Sequence, residues 1–75
     1  MEKAETLIKS KLLIDIVSNG ACYDTDQELA LYANTTAPYV KVILRQMELS
    51  REIEMASFSG ERKITYPKKR TNSLW

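Results

Sequence analysis

Basic side chains in the last third of the chain are the residues best suited to bind another molecule. Residues 51–75 hold six basic and three acidic residues, and residues 1–50 hold five and seven, so the two parts carry +3 and −2. The basic residues that cluster in the sequence are Arg62 with Lys63, and Lys68, Lys69 and Arg70. Such clusters attract phosphate even though the whole chain carries only +1. The alternative is that they form a solvated tail.

Other reactive residue types are scarce. The chain has no histidine and a single cysteine, Cys22. This composition excludes disulfides, the common zinc-ligand sets and Cys-His or Ser-His catalysis, so we predict no catalytic residue, metal ligand or cofactor. Asp24, Asp26 and Glu28 lack the spacing of a calcium loop and suit the N-terminal end of a helix. We predict that Cys22 is a small packing residue and that the chain is not an enzyme.

The first predicted element is a helix from about Glu5 to Ser18. Its apolar residues recur at helical spacing and predict one buried face: Ile8, Leu12, Leu13, Ile16 and Val17. Asn19-Gly20 is a strong C-terminal stop signal. The following Ala21-Cys22-Tyr23 could form a brief strand.

The stretch from Asp26 to Arg45 has the pattern of a helix-turn-helix and makes DNA binding the first hypothesis. Thr25 and Glu28 form a capping box that starts a second helix, and the small Ala30 allows another helix to cross closely over it. Asn34 tolerates the left-handed conformation and can end this helix. Thr35 and Thr36 are candidate N-caps for a third helix, from about Ala37 to Leu49. The apolar stripe of that helix is Val40, Ile43, Leu44 and Met47.

Beyond Ser50 the apolar period changes toward two, which predicts a hairpin. The alternating apolar residues are Ile53, Met55, Ile64 and Tyr66. Ser59-Gly60-Glu61 reads as the turn, and Pro67 ends the second strand because proline cannot donate to a β-ladder. The predicted fold class is therefore α+β, with three helices and a C-terminal hairpin. We predict one domain over residues 1–66 and a basic flexible tail over residues 67–75.

This order of elements resembles the winged helix-turn-helix superfamily over about residues 5–66. Within it, the chain looks most similar to small single-domain regulators of fimbrial adhesin operons and to short phage or plasmid regulators. Ala30 matches the small crossing residue, and Val40 and Ile43 match apolar positions of the recognition helix. The chain departs from the pattern at Asn34, where glycine is commoner, and at Ser50, which replaces the glycine that often closes the recognition helix.

The resemblance implies that the third helix enters the major groove of double-stranded DNA. The residues that would face DNA lie off the apolar stripe: Thr36, Ala37, Pro38, Lys41, Val42 and Arg45. Tyr39 would either stack at the groove edge or close the core. The hairpin would be the wing, with Arg62 and Lys63 near its tip on the minor groove or phosphate backbone. The alternative for these two residues is an exposed hairpin whose charges prevent edge aggregation.

Two hypotheses for function follow. The first is a small DNA-binding regulator of a bacterial, phage or plasmid operon, with a homodimer or a second regulatory protein providing additional specificity. The second is a winged-helix module that binds another protein, because Glu48, Glu52, Glu54 and Glu61 near the DNA side would repel phosphate. Neither a membrane span nor a small-molecule substrate is predicted, and a reducing cytoplasm is the expected location.

Overall fold

The computed structural model describes residues 2–67, and they form three helices followed by an antiparallel hairpin. The helices are α1 (Glu2–Asn19), α2 (Asp26–Ala33) and α3 (Ala37–Leu49), and the strands are β1 (Glu54–Phe58) and β2 (Glu61–Thr65). The predicted α+β class is confirmed. Lys68, Lys69 and Arg70, predicted to contact phosphate, lie outside the described residues. No helix in residues 2–67 is long and apolar enough to cross a membrane.

All three helices and both hairpin ends contribute to one core. Its members are Ile8, Leu12, Cys22, Leu29, Ala30, Ala33, Val40, Ile43, Leu44, Met47, Ile53 and Ile64. The predicted stripe of α3 is fully buried, and Cys22 is a buried packing residue with a free thiol. Helix α1 differs from the prediction, because Leu13 and Val17 are exposed. Leu13 lies about 100° around the helix from the buried Leu12, so it points away from the neighbouring helix.

Both ends of α2, including the turn that leads into α3, form as the sequence predicts. The hydroxyl of Thr25 accepts a hydrogen bond from the backbone N–H of Glu28 (3.1 Å), and the Glu28 carboxylate accepts one from the N–H of Thr25 (2.9 Å). Asn34 ends α2 in the left-handed conformation, with φ 57° and ψ 51°. The N–H of Thr35 then donates to the carbonyl of Ala30 at 2.9 Å, which closes the last turn of α2.

Helix α3 begins and ends at the predicted residues, but its C-terminal turn uses a different residue. Ser50 keeps a negative φ of −85°, and it is Arg51 that adopts the left-handed conformation, with φ 63°. The N–H of Glu52 donates to the carbonyl of Met47 at 2.8 Å, and this bond reverses the chain so that Ile53 enters the core.

The hairpin is shorter at one end and tighter at its turn than predicted. Glu61 pairs with Phe58, so the turn consists of Ser59 and Gly60 alone, both with positive φ (51° and 81°). Two such residues match the twist of the flanking strands. The second strand ends at Thr65 rather than Tyr66. The predicted strand near Cys22 is a single bridge, in which Cys22 exchanges two backbone hydrogen bonds with Ile64 (2.9 and 3.0 Å).

Candidate nucleic-acid interface

The side of α3 that faces away from the core carries most of the residues that sequence predicted to meet DNA. Pro38, Lys41, Val42 and Arg45 are exposed there, opposite the buried stripe. Thr36 is also exposed, but its hydroxyl accepts the N–H of Tyr39 at 3.3 Å and caps the helix. Ala37 is half-buried in the first turn. The elements that fix this surface are the left-handed turn at Asn34 and the packing of α3 on α2.

Tyr39 closes the core. Its side chain is half-buried and packs against the buried cluster, beside Leu7 and Ala4 of α1. Of the two alternatives that the sequence left open, the structure therefore favours the core position over stacking at a groove edge.

Two exposed residues on this side of α3 were missed from sequence. Gln46 follows Val42 by four positions and Leu49 follows Arg45 by four, so each extends the exposed face by one turn. We name the outer face of α3 as Pro38, Lys41, Val42, Arg45, Gln46 and Leu49, which are six of the seven exposed residues of this helix; the seventh, Glu48, lies at the border of the face. Helical spacing alone would have placed Gln46 and Leu49 on this face. The side chain of Gln46 can pair with adenine through two hydrogen bonds.

Lys41 and Arg45 are exposed and belong to no ion pair within residues 2–67. The ion pairs of this part of the chain use other cations: Lys9, Lys11 and Arg62. A cation that is already paired must lose its partner before it can neutralise a phosphate, whereas Lys41 and Arg45 carry no such cost. Lys41 and Arg45 are thus available to an anion without the loss of an ion pair, as are Lys3, Arg51 and Lys63 elsewhere in residues 2–67.

Arg62 takes a different position from the predicted one. Its Nη1 donates to the carboxylate of Asp26 at 2.6 Å, and its Nη2 donates to the backbone carbonyl of Asp24 at 2.8 Å. Both side chains of this ion pair are about three-quarters buried, with 24% and 22% exposed. Arg62 shares a face of β2 with the buried Ile64, so its side chain points toward α2 rather than outward. These contacts disfavour the DNA contact that the sequence predicted for Arg62.

The hairpin tip lies beside acidic residues. The groove between the tip and the start of α2 is lined by four acidic residues, Asp24, Asp26, Glu28 and Glu61, and by one basic residue, Arg62. Lys63 lies on the opposite face of the hairpin, next to Glu54 and Phe58. These acidic residues disfavour a phosphate contact by Arg62, whereas the contact predicted for Lys63 on the opposite face stays a prediction.

An ion-pair network connects α1 to the segment before α2. The ammonium of Lys11 lies 2.8 Å from the carboxylate of Asp15 and 3.1 Å from that of Asp24. Hydrogen bonding to Asp15 raises the pKa of Lys11, and the same bond lowers the pKa of Asp15. Cys22 completes a group whose possible ligand atoms lie within 4.8 Å of one another. The Lys11 ammonium already provides the positive charge there, so we assign the group a structural role.

The carboxylates that argued against DNA binding lie toward α1. Glu52 pairs with Lys9 of α1 at 3.6 Å, and Glu54 lines a groove together with Ile16 and Gly20 at the end of α1. Neither residue belongs to the outer face of α3. Glu48 is exposed at the border of that face, about one turn from Arg45 and about two turns from Lys41. Repulsion of phosphate by Glu52 and Glu54 is therefore weaker than the sequence order suggests.

Comparison of the chain with protein-family models, with curated proteins and with solved structures finds no significant match. The function of the chain is therefore inferred from the geometry and charge of the described residues.

Proposed function

We propose that the chain is a small winged-helix DNA-binding protein that regulates transcription of a bacterial, phage or plasmid operon, with α3 in the major groove. The observation that carries this proposal is the exposed pair of unpaired cations, Lys41 and Arg45, on the outer face of a helix held by a helix-turn-helix. In this arrangement the protein acts by occupying its site, and no chemical step is required.

Each residue of the outer face has a chemistry suited to a groove. Arg45 can donate two hydrogen bonds to a guanine edge, Gln46 can pair with adenine, and Lys41 can neutralise a phosphate. Val42 can pack on a thymine methyl group. The proposal assigns the hairpin a supporting role, because Arg62 ties it to α2 and the tip is acidic.

The test is fluorescence anisotropy of labelled DNA from the chain's own upstream region and of a scrambled control, across a salt series. Tight binding to the upstream DNA alone supports a sequence-reading regulator. Because Lys41 is the cation of α3 assigned to a phosphate, log K should fall against log salt with a slope of about −0.9 from α3 alone. A steeper slope would indicate phosphate contacts by other cations, and Lys69→Ala would then weaken all sequences alike and lower the slope.

Two variants separate base reading from general attraction. Arg45→Ala should cost about 1–3 kcal/mol on the upstream DNA and relax specificity at one position, with a smaller effect on scrambled DNA. Lys9→Ala is the matched control, since it removes one positive charge from α1, where Lys9 pairs with Glu5 and Glu52. Equal losses for Arg45→Ala on both DNAs would refute the base-reading role, and equal losses for the two variants would refute the interface.

The second candidate is a winged-helix module that binds a protein. It is favoured by two exposed apolar residues on the outer face of α3, Val42 and Leu49, and by the acidic hairpin tip. Interfaces between proteins use exposed apolar side chains more than phosphate contacts do. The absence of DNA binding even at low salt would favour this candidate.

A further inference from the structure

Helix α1 has an apolar side that faces away from the core. Ile14 is 54% exposed and Val17 is 73% exposed, and Leu13 is exposed beside them. We name the outer face of α1 as the uncharged residues Thr6, Ser10, Leu13, Ile14, Val17 and Ser18 on this side of the helix, together with Leu7 at its edge, whose half-buried side chain also packs against the core. None of these seven side chains is charged. The described part of the chain thus contains more than three helical turns of uncharged surface, which is the composition of an interface centre.

Two of the charged residues that border this face, Lys9 and Lys11, are neutralised within the same chain. Lys9 pairs with Glu5 at 3.2 Å and with Glu52 at 3.6 Å. Lys11 pairs with Asp15 and Asp24. Two copies of the face can therefore approach each other without bringing Lys9 or Lys11 in as an unpaired charge.

The spacing of large and small residues makes the face complementary to itself in an antiparallel pair. Leu7, Ser10, Ile14 and Val17 occupy the a and d positions of a heptad. With a two-fold axis at the level of Leu12, Ser10 of one copy lies opposite Ile14 of the other, and Leu7 lies opposite Val17. Each large side chain meets a smaller one. A parallel pair would place Ser10 against Ser10 and leave a gap.

Charge at the helix ends favours the same orientation. Helix α1 has no basic residue in its last turn, so the partial negative charge of its C-terminal carbonyls is not offset by its own side chains. Lys3 is exposed near the N-terminal end of the outer face, and in an antiparallel pair it lies beside the C-terminal end of the other α1. A cation at that position is stabilised by the helix dipole.

We propose that the outer face of α1 binds the same face of a second copy, in an antiparallel homodimer. The face spans about 18 Å along the helix and about 10 Å across it. Stable interfaces bury about 800 Å² on each partner, more than one helix face of this size provides. The dimer is therefore weak in isolation and forms at high protein concentration. Where two copies bind neighbouring sites on DNA, the dimer would provide a second α3.

The first test is sedimentation velocity of the full chain over a range of concentrations, without DNA. The parent chain should show a monomer–dimer equilibrium, and Val17→Glu should raise the dimer dissociation constant by at least about ten-fold. Leu31→Glu on α2 is the matched control, because Leu31 is 74% exposed and the substitution adds the same charge. Circular dichroism checks that both variants fold. A monomer at every concentration, or equal effects of the two variants, would overturn the proposal.

The second test determines the orientation. In the antiparallel pair the two copies of Val17 lie about 15 Å apart along the helix axis, since each is five residues from the level of Leu12. A mixture of Leu7→Cys and Val17→Cys chains should form a cross-link with a short thiol reagent, and either variant alone should not. Cross-linking of each variant alone would overturn the antiparallel arrangement. Because neither test contains DNA, their failure leaves the DNA-binding proposal to be judged on its own measurement.

Discussion

The ion pair between Arg62 and Asp26 should be a main attachment of the hairpin to the helices. It joins β2 to the first residue of α2, and a second bond joins Arg62 to the backbone of Asp24. Both side chains are less than one-third exposed, so solvent screens the pair only partly. The prediction is that Arg62→Ala destabilises the fold while DNA binding by the folded protein is retained.

The magnitude follows from the contacts. Hydrogen bonds to charged groups contribute about 1.5–3 kcal/mol each. The Nε of Arg62 partly offsets these two bonds, because it is buried and has no hydrogen-bond partner among the described residues. An unsatisfied buried donor of this kind costs about 1–3 kcal/mol. The balance is a loss of about 2 kcal/mol in the free energy of unfolding. For a domain of this size, that corresponds to a decrease in Tm of about 8–16 °C.

Urea unfolding monitored by circular dichroism measures the effect. Arg45→Ala is the matched control, because it removes the same side chain from an exposed position and should change the free energy by less than about 0.5 kcal/mol. A double-mutant cycle with Asp26→Ala should show that the two residues are coupled. If Arg62→Ala were no more destabilising than Arg45→Ala, or if it reduced the salt dependence of DNA binding, the structural role of Arg62 would be refuted.

Three further substitutions or measurements check local features of the fold. Asn34→Ala should destabilise the protein by about 1–2 kcal/mol in urea unfolding, because Asn34 has φ 57°, whereas Asn34→Gly should not; equal effects would contradict the turn geometry. Burial raises the pKa of the Cys22 thiol to about 11, so a thiol reagent at pH 8 should react far more slowly with native than with urea-unfolded protein, and similar rates would be inconsistent with this. The hydrogen bond from Lys11 lowers the pKa of Asp15 below its ordinary 3.8, so the stabilisation that this carboxylate provides is complete above that pH and is lost as the pH falls below it. Asp15→Asn should therefore flatten the fall in Tm between about pH 5 and about pH 2. An unchanged slope would exclude this contribution to stability.

The features predicted correctly from sequence depend on neighbours in the chain. The capping box of Thr25 and Glu28 uses residues three apart, and the N-cap at Thr36 and the left-handed Asn34 also act within one turn. The buried stripe of α3 follows from helical period alone, so it fixes which side of α3 is exposed. Local sequence patterns therefore suffice to predict most of the candidate interface.

The features that sequence misplaced depend on distant residues. Arg62 and Asp26 are 36 positions apart, so the local pattern does not identify the partner of Arg62, although strand alternation places Arg62 on the face of Ile64 and Lys63 on the other face. The exposure of Leu13 and Val17 likewise depends on how α1 lies against its neighbours. Of the five residues that apolar periodicity predicted to be buried, Ile8, Leu12 and the half-buried Ile16 reach the core, and the half-buried Ala4 and Leu7 pack there as well. The exposed remainder is the face assigned above to a second copy.

Ion pairs within the fold change which basic residues are available to DNA from those that the charges of the two segments indicated. By sequence, residues 51–75 carry +3 and residues 1–50 carry −2, which locates the basic surface in the hairpin and tail. In the structure Arg62 joins the acidic start of α2, whereas Lys41 and Arg45, in the acidic half of the sequence, carry no ion pair within residues 2–67. Replacing Lys41 and Arg45 together by alanine should therefore weaken DNA binding more than replacing Arg62 and Lys63, when anisotropy is measured at a temperature at which both double variants are folded. The opposite order would return the DNA contact to the hairpin and refute the assignment to α3.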